Sequence, residues 1–176
     1  MNEHPDKIVN QLLQKNKTFQ EKYKSESEKH VKGQAPKISV LTCADSRVIP
    51  EHIFQASIGE IFVVRIAGNI AIDETVISSL EYAVDHLHIS HLIILGHTFC
   101  GAVNAAEQAK NTDSLLLTEI QKSFLSQDDH IFANLNRQLR LLPQRSTSIK
   151  HAMEQDKIKL IGALYDIKDG SVKFLE

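Results

Sequence analysis

The chain has 176 residues, of which 42% are hydrophobic and 24% are charged, and its formal net charge is -2 with the nine histidines counted as neutral. These values are typical of one soluble globular domain with its own core, and they show no charge bias toward nucleic acid or an anionic membrane surface. There is no apolar run long enough to span a membrane, and the N-terminal residues are polar, so the sequence predicts a cytoplasmic protein with no signal peptide.

The first predicted element is one long, polar, amphipathic helix from Pro5 to about His30. Its apolar residues recur at helical spacing among many Lys, Glu, Gln and Ser: Ile8, Val9, Leu12, Leu13, Phe19 and Tyr23. A face with so few apolar residues gains little free energy by packing on its own domain alone. We therefore expect residues 1–33 to form a helical arm that either lies over a partner subunit or is a solvated surface helix. No linker or repeat divides the chain, which we interpret as one domain, 1–176.

Three short apolar runs predict buried strands. They are Lys37 to Thr42, Glu60 to Ile66 and His91 to Leu95. Between the second and third runs, Asp73 is placed to cap a helix with the apolar stripe Val76, Ile77, Leu80, Ala83, Val84 and Leu87. This alternation of strand, helix and strand predicts a parallel sheet covered by helices.

The second half of the chain adds helices and a last pair of strands. Helical patterns cover Gly101 to Lys110, Leu115 to Leu125 and Ile131 to about Glu154, with a break near Pro143. Ile158 to Ile167 has strand character, and Val172 to Leu175 can pair back on it after the Asp169-Gly170 turn. We therefore predict an α/β fold with a mostly parallel central sheet of four to five strands, flanked by helices and ending in an antiparallel edge strand.

The only two cysteines, Cys43 and Cys100, follow two of the predicted strands. A structural disulfide is not expected in a reducing cytosol, which leaves metal ligands, reactive thiols or small buried hydrophobes. His97 lies three residues before Cys100, so both fit on one turn, and Asp45 projects to the same face as Cys43 in an extended segment. The two motifs thus fall at the carboxyl ends of strands, where open parallel sheets bind ligands.

Two thiolates and one imidazole suit Zn2+ better than Mg2+ or Ca2+, which prefer oxygen. Either half of the pattern alone is weak, because a buried cysteine is more often packing than ligand. Together, Cys43, His97 and Cys100 predict one zinc site per chain, with the fourth position open to water or taken by Asp45 in a resting state. An open position indicates a lyase or hydrolase, since zinc makes a bound water acidic enough to supply hydroxide near neutral pH.

Asp45 and Arg47 lie beside the first predicted ligand. We interpret them as a pair in which Arg47 keeps the carboxylate ionised and oriented while Asp45 accepts the remaining proton of the nucleophile. The alternative is a surface ion pair. Because two thiolates cancel the zinc charge, we expect activity that climbs on the alkaline side. The sequence identifies no proton shuttle; His52 or a buffer molecule are the candidates.

Four motifs resemble the β-class carbonic anhydrases in order and spacing. They are Cys43-Ala-Asp-Ser-Arg-Val48, Phe62-Val-Val-Arg65 with Ala67-Gly-Asn69, Ser79-Leu-Glu-Tyr-Ala-Val84, and Gly96-His-Thr-Phe-Cys-Gly-Ala102. The resemblance runs from about Gln34 to Ala106, with a weaker echo at Gly162-Ala-Leu-Tyr-Asp166. It implies reversible hydration of CO2 to bicarbonate, zinc on the two cysteines and the histidine, a catalytic Asp-Arg dyad, and an obligate homodimer that often assembles further, as in a tetramer.

The resemblance also bears on the fourth zinc position. Members with an inhibitory bicarbonate site tend to have Trp three residues before the first cysteine, where this chain has Val40. Permanently open members carry a substrate-contacting glutamine nine residues before it, where this chain has Gln34. We therefore expect the open type, with Gln34 binding substrate. Arg65 and Tyr165 look like other members of the inhibitory site. Because the Trp is absent, a purely structural role for these two residues stays open as well. Ile66 departs from the Asn that is common after that arginine.

Two other functions stay open at this point. One is a noncatalytic, zinc-stabilised or ligand-sensing module that has kept the fold, and the other is the same scaffold acting on CS2 or COS. Asp45 and Arg47 argue against the first, because a purely structural zinc does not need them. Nothing in the residues excludes the second.

Overall fold

The structure is a computed structural model that describes residues 5–124 and 129–175. The chain divides into two compact units, residues 1–34 and 35–176. The first unit holds one helix, α1 (Pro5–Lys29), which begins and ends close to the predicted positions. The prediction that residues 1–176 act as one domain, with the arm at a subunit interface, stays a prediction. No helix of the described residues has the length and apolar character that crossing a membrane requires.

The second unit is built on a five-stranded sheet. Its strands are β1 (Ile38–Thr42), β2 (Ile61–Arg65), β3 (His91–His97), β4 (Lys159–Tyr165) and β5 (Val172–Phe174). They lie in the order β2-β1-β3-β4-β5, with the first four parallel and β5 antiparallel to β4. The predicted mostly parallel sheet with an antiparallel edge strand is confirmed. β3 runs two residues past its predicted end, so His97 is itself the last residue of the strand.

Strand order reverses between β1 and β3. From β1 the chain crosses to β2 on one side and then to β3 on the other, with Thr42 paired to Leu95. The Thr42 hydroxyl donates to the Leu95 carbonyl at 2.9 Å, which ties the two strand ends together. Loops that leave neighbouring strands in opposite directions open a crevice at their carboxyl ends. Cys43 follows β1 directly and His97 ends β3, so both stand at this crevice.

The other helices are α2 (Pro50–Ile53), α3 (Glu74–Asp85), α4 (Gly101–Gln108), α5 (Leu115–Gln121), α6 (His130–Arg145) and α7 (Thr147–Glu154). Asp73 caps α3 as predicted by accepting from the Thr75 N–H at 2.8 Å. α6 passes through Pro143 and ends two residues after it, at Arg145, and the next residue, Ser146, caps α7 by accepting from the Ile149 N–H at 3.1 Å. Leu125, the predicted end of the α5 pattern, lies outside the described residues. α2 spans four residues, too few to show a period in the sequence.

Consecutive side chains of β1 and β3 enter different apolar clusters on the two faces of the sheet. Leu41 and Ile94 belong to the larger cluster, which also contains buried residues of α3, α6 and α7. Val40 and Ile93 belong to a smaller cluster on the opposite face. Because side chains alternate along a strand, a strand covered on both faces is apolar throughout. This is why the central strands could be recognised as continuous apolar runs.

Candidate metal centre

Three ligand atoms converge at the carboxyl ends of β1 and β3. The Sγ atoms of Cys43 and Cys100 and a ring nitrogen of His97 all lie within 4.8 Å of one another. The two sulfur atoms are 4.0 Å apart and form no disulfide, and none of the three residues is more than 3% exposed. Across the described ranges, 5–124 and 129–175, no other group of three His, Cys, Asp or Glu converges in this way.

The His97 ring is oriented by the residue that follows it. Its Nδ1 lies 2.9 Å from the Thr98 carbonyl oxygen, which can only accept, so Nδ1 carries the proton. The lone pair of Nε2 is then free, and this buried atom has no hydrogen-bond partner among the residues described. Leaving such an acceptor unsatisfied costs about 1–3 kcal/mol, a cost that a metal ion would remove. A soft donor set with one orphaned imidazole nitrogen fits Zn2+.

Thr98 is itself held by β4 and the segment after it. Its N–H donates to the Tyr165 carbonyl at 2.9 Å, which continues the β3–β4 pairing by one residue. Its hydroxyl donates to the Asp166 carboxylate at 3.1 Å and accepts from the Ile167 N–H at 3.0 Å. The carbonyl that fixes the His97 tautomer is therefore part of the sheet framework, and such outer contacts orient metal-binding histidines.

The turn from His97 to Cys100 depends on Phe99. This residue has a φ of 55°, in the left-handed region that residues other than glycine seldom adopt. Its carbonyl accepts from Arg47 NH2 at 3.1 Å, which joins the loops after β1 and β3. The turn delivers Cys100 to the N-terminus of α4, where backbone N–H groups of the first turn favour a thiolate.

The two thiols are close enough to share one proton. The contact with Cys100 lowers the pKa of Cys43, assisted by the Gly68 N–H, against the raising effect of burial. The same contact with Cys43, together with burial, raises the pKa of Cys100. The two sulfur atoms therefore titrate as one pair. Metal binding would release that proton, since both ligands must be thiolates.

Gly68 brings a backbone donor to the Cys43 sulfur. Its N–H lies in a tight turn, Ala67–Asn69, and donates to Cys43 Sγ at 3.3 Å. Gly68 has a φ of +69°, and a Cβ there would lie 2.6 Å from Cδ1 of Ile120. The conformation therefore favours glycine at this position, and any side chain there would also have to displace the end of the Ile120 side chain.

Asp45 and Arg47 form the predicted pair. Arg47 Nε donates to Oδ1 at 2.9 Å and NH2 donates to Oδ2 at 2.7 Å, while the Arg47 backbone N–H donates to Oδ1 at 3.0 Å. The guanidinium fork holds the pKa of the Asp45 carboxyl well below its usual range. The Asp45 side chain is 14% exposed and that of Arg47 is 51% exposed, so the carboxylate is the sheltered partner. Asp45 is not a member of the converging ligand group.

Arg65 holds the loop that carries Cys43 and Asp45. Its guanidinium donates to the carbonyls of Asp45 at 2.7 Å, Val48 at 2.8 Å and Cys43 at 3.5 Å. These three acceptors are all backbone carbonyls, which agrees with a structural role. Val40, which stands where members with an inhibitory bicarbonate site tend to have Trp, is fully buried in β1. Gln34 belongs to the N-terminal unit, and its contact with substrate stays a prediction.

The sequence interpretation missed two buried amides, Asn134 and Gln138, which contact the Gly68 turn from α6. Asn134 Nδ2 donates to the Gly68 carbonyl at 2.8 Å, and Gln138 accepts from the Ala71 N–H at 2.9 Å. A signal was present: the buried stripe of α6 contains Asn134, Leu135, Gln138 and Leu142, so two polar residues occupy positions that helical spacing assigns to the core.

Known proteins resemble this chain in both sequence and structure. A sequence model of the carbonic anhydrase family matches residues 38–172. Carbonic anhydrase 2 of Mycobacterium tuberculosis is 34% identical over 153 residues, which cover 78% of this chain and 73% of the relative. The crystal structure of the β-carbonic anhydrase CafA of Aspergillus fumigatus has a TM-score of 0.80 at 27% identity, covering 96% of this chain and 91% of its own. A tetrameric β-carbonic anhydrase of Sordaria macrospora shares the fold, with a TM-score of 0.81 at 24% identity over 96% of this chain and 97% of its own.

Proposed function

Since the chain belongs to the β-class carbonic anhydrases, a family of carbonate dehydratases, we propose that it catalyses the reversible hydration of CO2 to bicarbonate and a proton. We propose that it does so with one Zn2+ per chain, held by Cys43, His97 and Cys100. The observation that carries the proposal is the unpartnered Nε2 of His97, buried beside two sulfur atoms. A packing role for these residues would leave that nitrogen unsatisfied.

A bound Zn2+ would supply Lewis acidity, which makes water acidic enough to attack a small electrophilic carbon near neutral pH. The chain's own part is to hold the donors and to orient the nucleophile. Asp45 Oδ1 accepts two hydrogen bonds from Arg47, whereas Oδ2 accepts one. Each carboxylate oxygen offers two acceptor sites, so Oδ2 keeps one for the proton of the attacking water. Arg47 keeps that carboxylate ionised at neutral pH.

We propose that the resting state is the open type, in which Asp45 pairs with Arg47 rather than with the metal. Support comes from the three hydrogen bonds that engage both Asp45 oxygens, and from Val40 in place of a Trp. Gln34 is proposed to contact substrate. The intact dyad also favours catalysis over a purely structural metal, because only a reacting water needs an oriented carboxylate.

We propose that the protein acts in the cytoplasm as a homo-oligomer, a dimer or a tetramer. Two free, buried thiols suit a reducing compartment, where they can serve as ligands. The tetrameric relative of Sordaria macrospora has this fold over nearly the whole chain. Sedimentation of the zinc protein distinguishes the two sizes from a monomer, and a monomer that is fully active would contradict the assembly.

Metal content and stopped-flow CO2 hydration test the activity. We expect one zinc per chain, a rate that rises between about pH 6 and pH 9, and a fall in kcat/KM of about a hundredfold in Asp45→Asn with zinc retained. Asp73→Asn, at the N-cap of α3 and outside the converging ligand group, serves as the matched control for loss of a carboxylate charge, because asparagine also caps helices. Stoichiometric zinc without hydration at any pH would refute the enzyme, and a flat rate from about pH 6 to 9 would refute the expected alkaline rise.

A further inference from the structure

We propose that Asn134 and Gln138 are positioning residues of the metal centre. In this inference they clamp the Ala67–Asn69 turn so that the Gly68 N–H points at the Cys43 sulfur. The inference deepens the proposed function and rests on it, because Cys43 is a proposed ligand. It concerns two residues of α6 whose side chains bond to each other and to the backbone of Gly68 and Ala71, not to any of the three proposed ligands.

The two amides form a relay that begins and ends on the same short segment. The Ala71 N–H donates to Gln138 Oε1 at 2.9 Å, and Gln138 Nε2 donates to Asn134 Oδ1 at 3.0 Å. Asn134 Nδ2 then donates to the Gly68 carbonyl at 2.8 Å. Each amide accepts on one side and donates on the other, so neither can flip without placing donor against donor or acceptor against acceptor. The backbone from Gly68 to Ala71 is thus held at both ends.

Burial makes this relay stiff. Gln138 is fully buried and Asn134 is 1% exposed, so water does not compete for their hydrogen bonds. Burying an amide without hydrogen-bond partners costs free energy. In an interior of low dielectric constant, hydrogen bonds in a chain polarise and strengthen one another. Two polar residues at core positions of α6 are therefore stable only while the Gly68 carbonyl and the Ala71 N–H are available to them.

The turn needs outside support because of its backbone conformation. Gly68 has a φ of 69° and Asn69 a φ of 47°, so two left-handed residues follow one another. Such conformations persist where the surroundings hold them. Two hydrogen bonds hold the Gly68–Asn69 peptide unit: the Asn69 N–H donates to the Ile66 carbonyl at 3.0 Å, and the Gly68 carbonyl accepts from Asn134. The Gly68 N–H that serves Cys43 belongs to the preceding peptide unit, which is joined to this one through the Gly68 Cα.

The consequence for the ligand is electrostatic. An N–H donor at 3.3 Å favours the Cys43 thiolate and fixes the direction in which its sulfur lone pairs are available. Loss of an outer contact of this kind commonly weakens metal binding by about 10- to 100-fold. The expected effect of removing the clamp is therefore weaker metal binding together with loss of the Gly68 hydrogen bond, rather than a general loss of stability alone.

The test compares Asn134→Ala with Leu142→Ala in the full chain. Leu142 lies two turns further along α6, is fully buried and packs in the large apolar cluster, so its truncation destabilises the same helix without removing an amide. The first readout is Zn2+ affinity by competition with a chelator. The second is the NMR scalar coupling between the Gly68 amide proton and a bound 113Cd2+, which passes through the N–H···S bond.

We expect the wild type and Leu142→Ala to show the Gly68 coupling and Zn2+ affinities within about threefold of each other. We expect Asn134→Ala to lose the coupling and to bind Zn2+ about 10- to 100-fold more weakly. Equal affinity and coupling in Asn134→Ala, or equal weakening in Leu142→Ala, would overturn the clamp. Asn134→Leu, which has a similar branched shape but no hydrogen-bonding group, replaces the alanine variant if that variant does not fold, and carries the same expectation.

The outcomes separate the two proposals. A wild type that binds metal but does not hydrate CO2 refutes the proposed activity and leaves the clamp to be judged by coupling and affinity. A wild type that binds metal and shows no Gly68 coupling refutes the clamp alone. A wild type that binds neither Zn2+ nor Cd2+ refutes both.

Discussion

His91 and His97 stand at the two ends of the same strand, β3, and their rings meet different surroundings. At the amino end, His91 is partly exposed and its Nδ1 lies 2.8 Å from the Ser90 hydroxyl. At the carboxyl end, His97 is 1% exposed, its Nδ1 is engaged by a carbonyl and its Nε2 has no partner beside two thiols. The same residue type is thus a surface side chain at one end and a candidate ligand at the other.

The wider surroundings repeat this difference. Near the amino end of β3, a cavity of about 600 Å3 is lined by titratable side chains that include Asp85, His88, His151 and Lys157. Those four are exposed to solvent, and none of them belongs to the ligand group that converges in the described ranges. Donor residues are therefore common at both ends. Burial and convergence occur at the end where strand order reverses and two loops bring their ligands to one point.

The largest expected effect comes from exchanging the two histidines for alanine in turn. His97→Ala removes the only imidazole of the ligand group, and we expect loss of stoichiometric zinc and a fall in hydration rate of about a thousandfold or more. His91→Ala should keep zinc and stay within about twofold in rate, because His91 bonds a neighbouring serine. Zinc analysis and stopped-flow assays check both. Similar losses in the two variants would mean that the two ends do not differ in function.

An intermediate effect is expected at the turn that serves Cys43. Gly68→Ala forces a left-handed alanine and a Cβ 2.6 Å from Cδ1 of Ile120, so we expect about 2–4 kcal/mol of lost stability. Gly170→Ala shares a positive φ but has open space around it, and should cost only about 1 kcal/mol. Urea unfolding measures both values.

Ile120→Val removes the atom that the new Cβ would meet. In that background Gly68→Ala should cost about 1 kcal/mol less, which a double-mutant cycle detects. If the double-mutant cycle gives no interaction free energy between the two positions, the clash with Ile120 is not what restricts this turn.

The smallest expected effect concerns acid stability of the metal-free protein. Arg47 depresses the pKa of Asp45 below the ordinary value of 3.8, so the unfolded chain binds a proton more readily than the folded one. The stabilisation by this pair is present above that value and is lost as the pH falls through the folded pKa. Because Arg47 is half exposed, we expect a contribution below about 1 kcal/mol. The difference in unfolding free energy between wild type and Asp45→Asn should shrink as the pH falls from about 5 to 2, and a difference that grows would contradict this.

The sequence was sufficient for the features that depend on local pattern. β1 and β3 are covered on both faces, so they appear as short apolar runs, and the two cysteines at their ends mark where the chain enters the crevice. The helix cap at Asp73 and the pairing of Asp45 with Arg47 are also local, since each partner lies two residues away.

Features that depend on distant contacts were not visible in the sequence. Arg65 binds three carbonyls of a loop about twenty residues away, which no spacing rule indicates. Phe99 adopts a φ of 55° although its residue type disfavours that conformation, so residue type alone would not predict this turn. The roles of Asn134 and Gln138 follow from bonds to a turn more than sixty residues earlier. A polar residue in an apolar stripe signals a buried partner but does not say which one.

X-ray absorption at the zinc edge of the zinc-bound protein tests the central claim most directly. The account predicts one zinc per chain with two sulfur neighbours at about 2.3 Å and two nitrogen or oxygen neighbours at about 2.0–2.1 Å, and loss of this shell in His97→Ala. A zinc shell without sulfur, or an unchanged shell in His97→Ala, would contradict the assignment of Cys43, His97 and Cys100 as the metal centre.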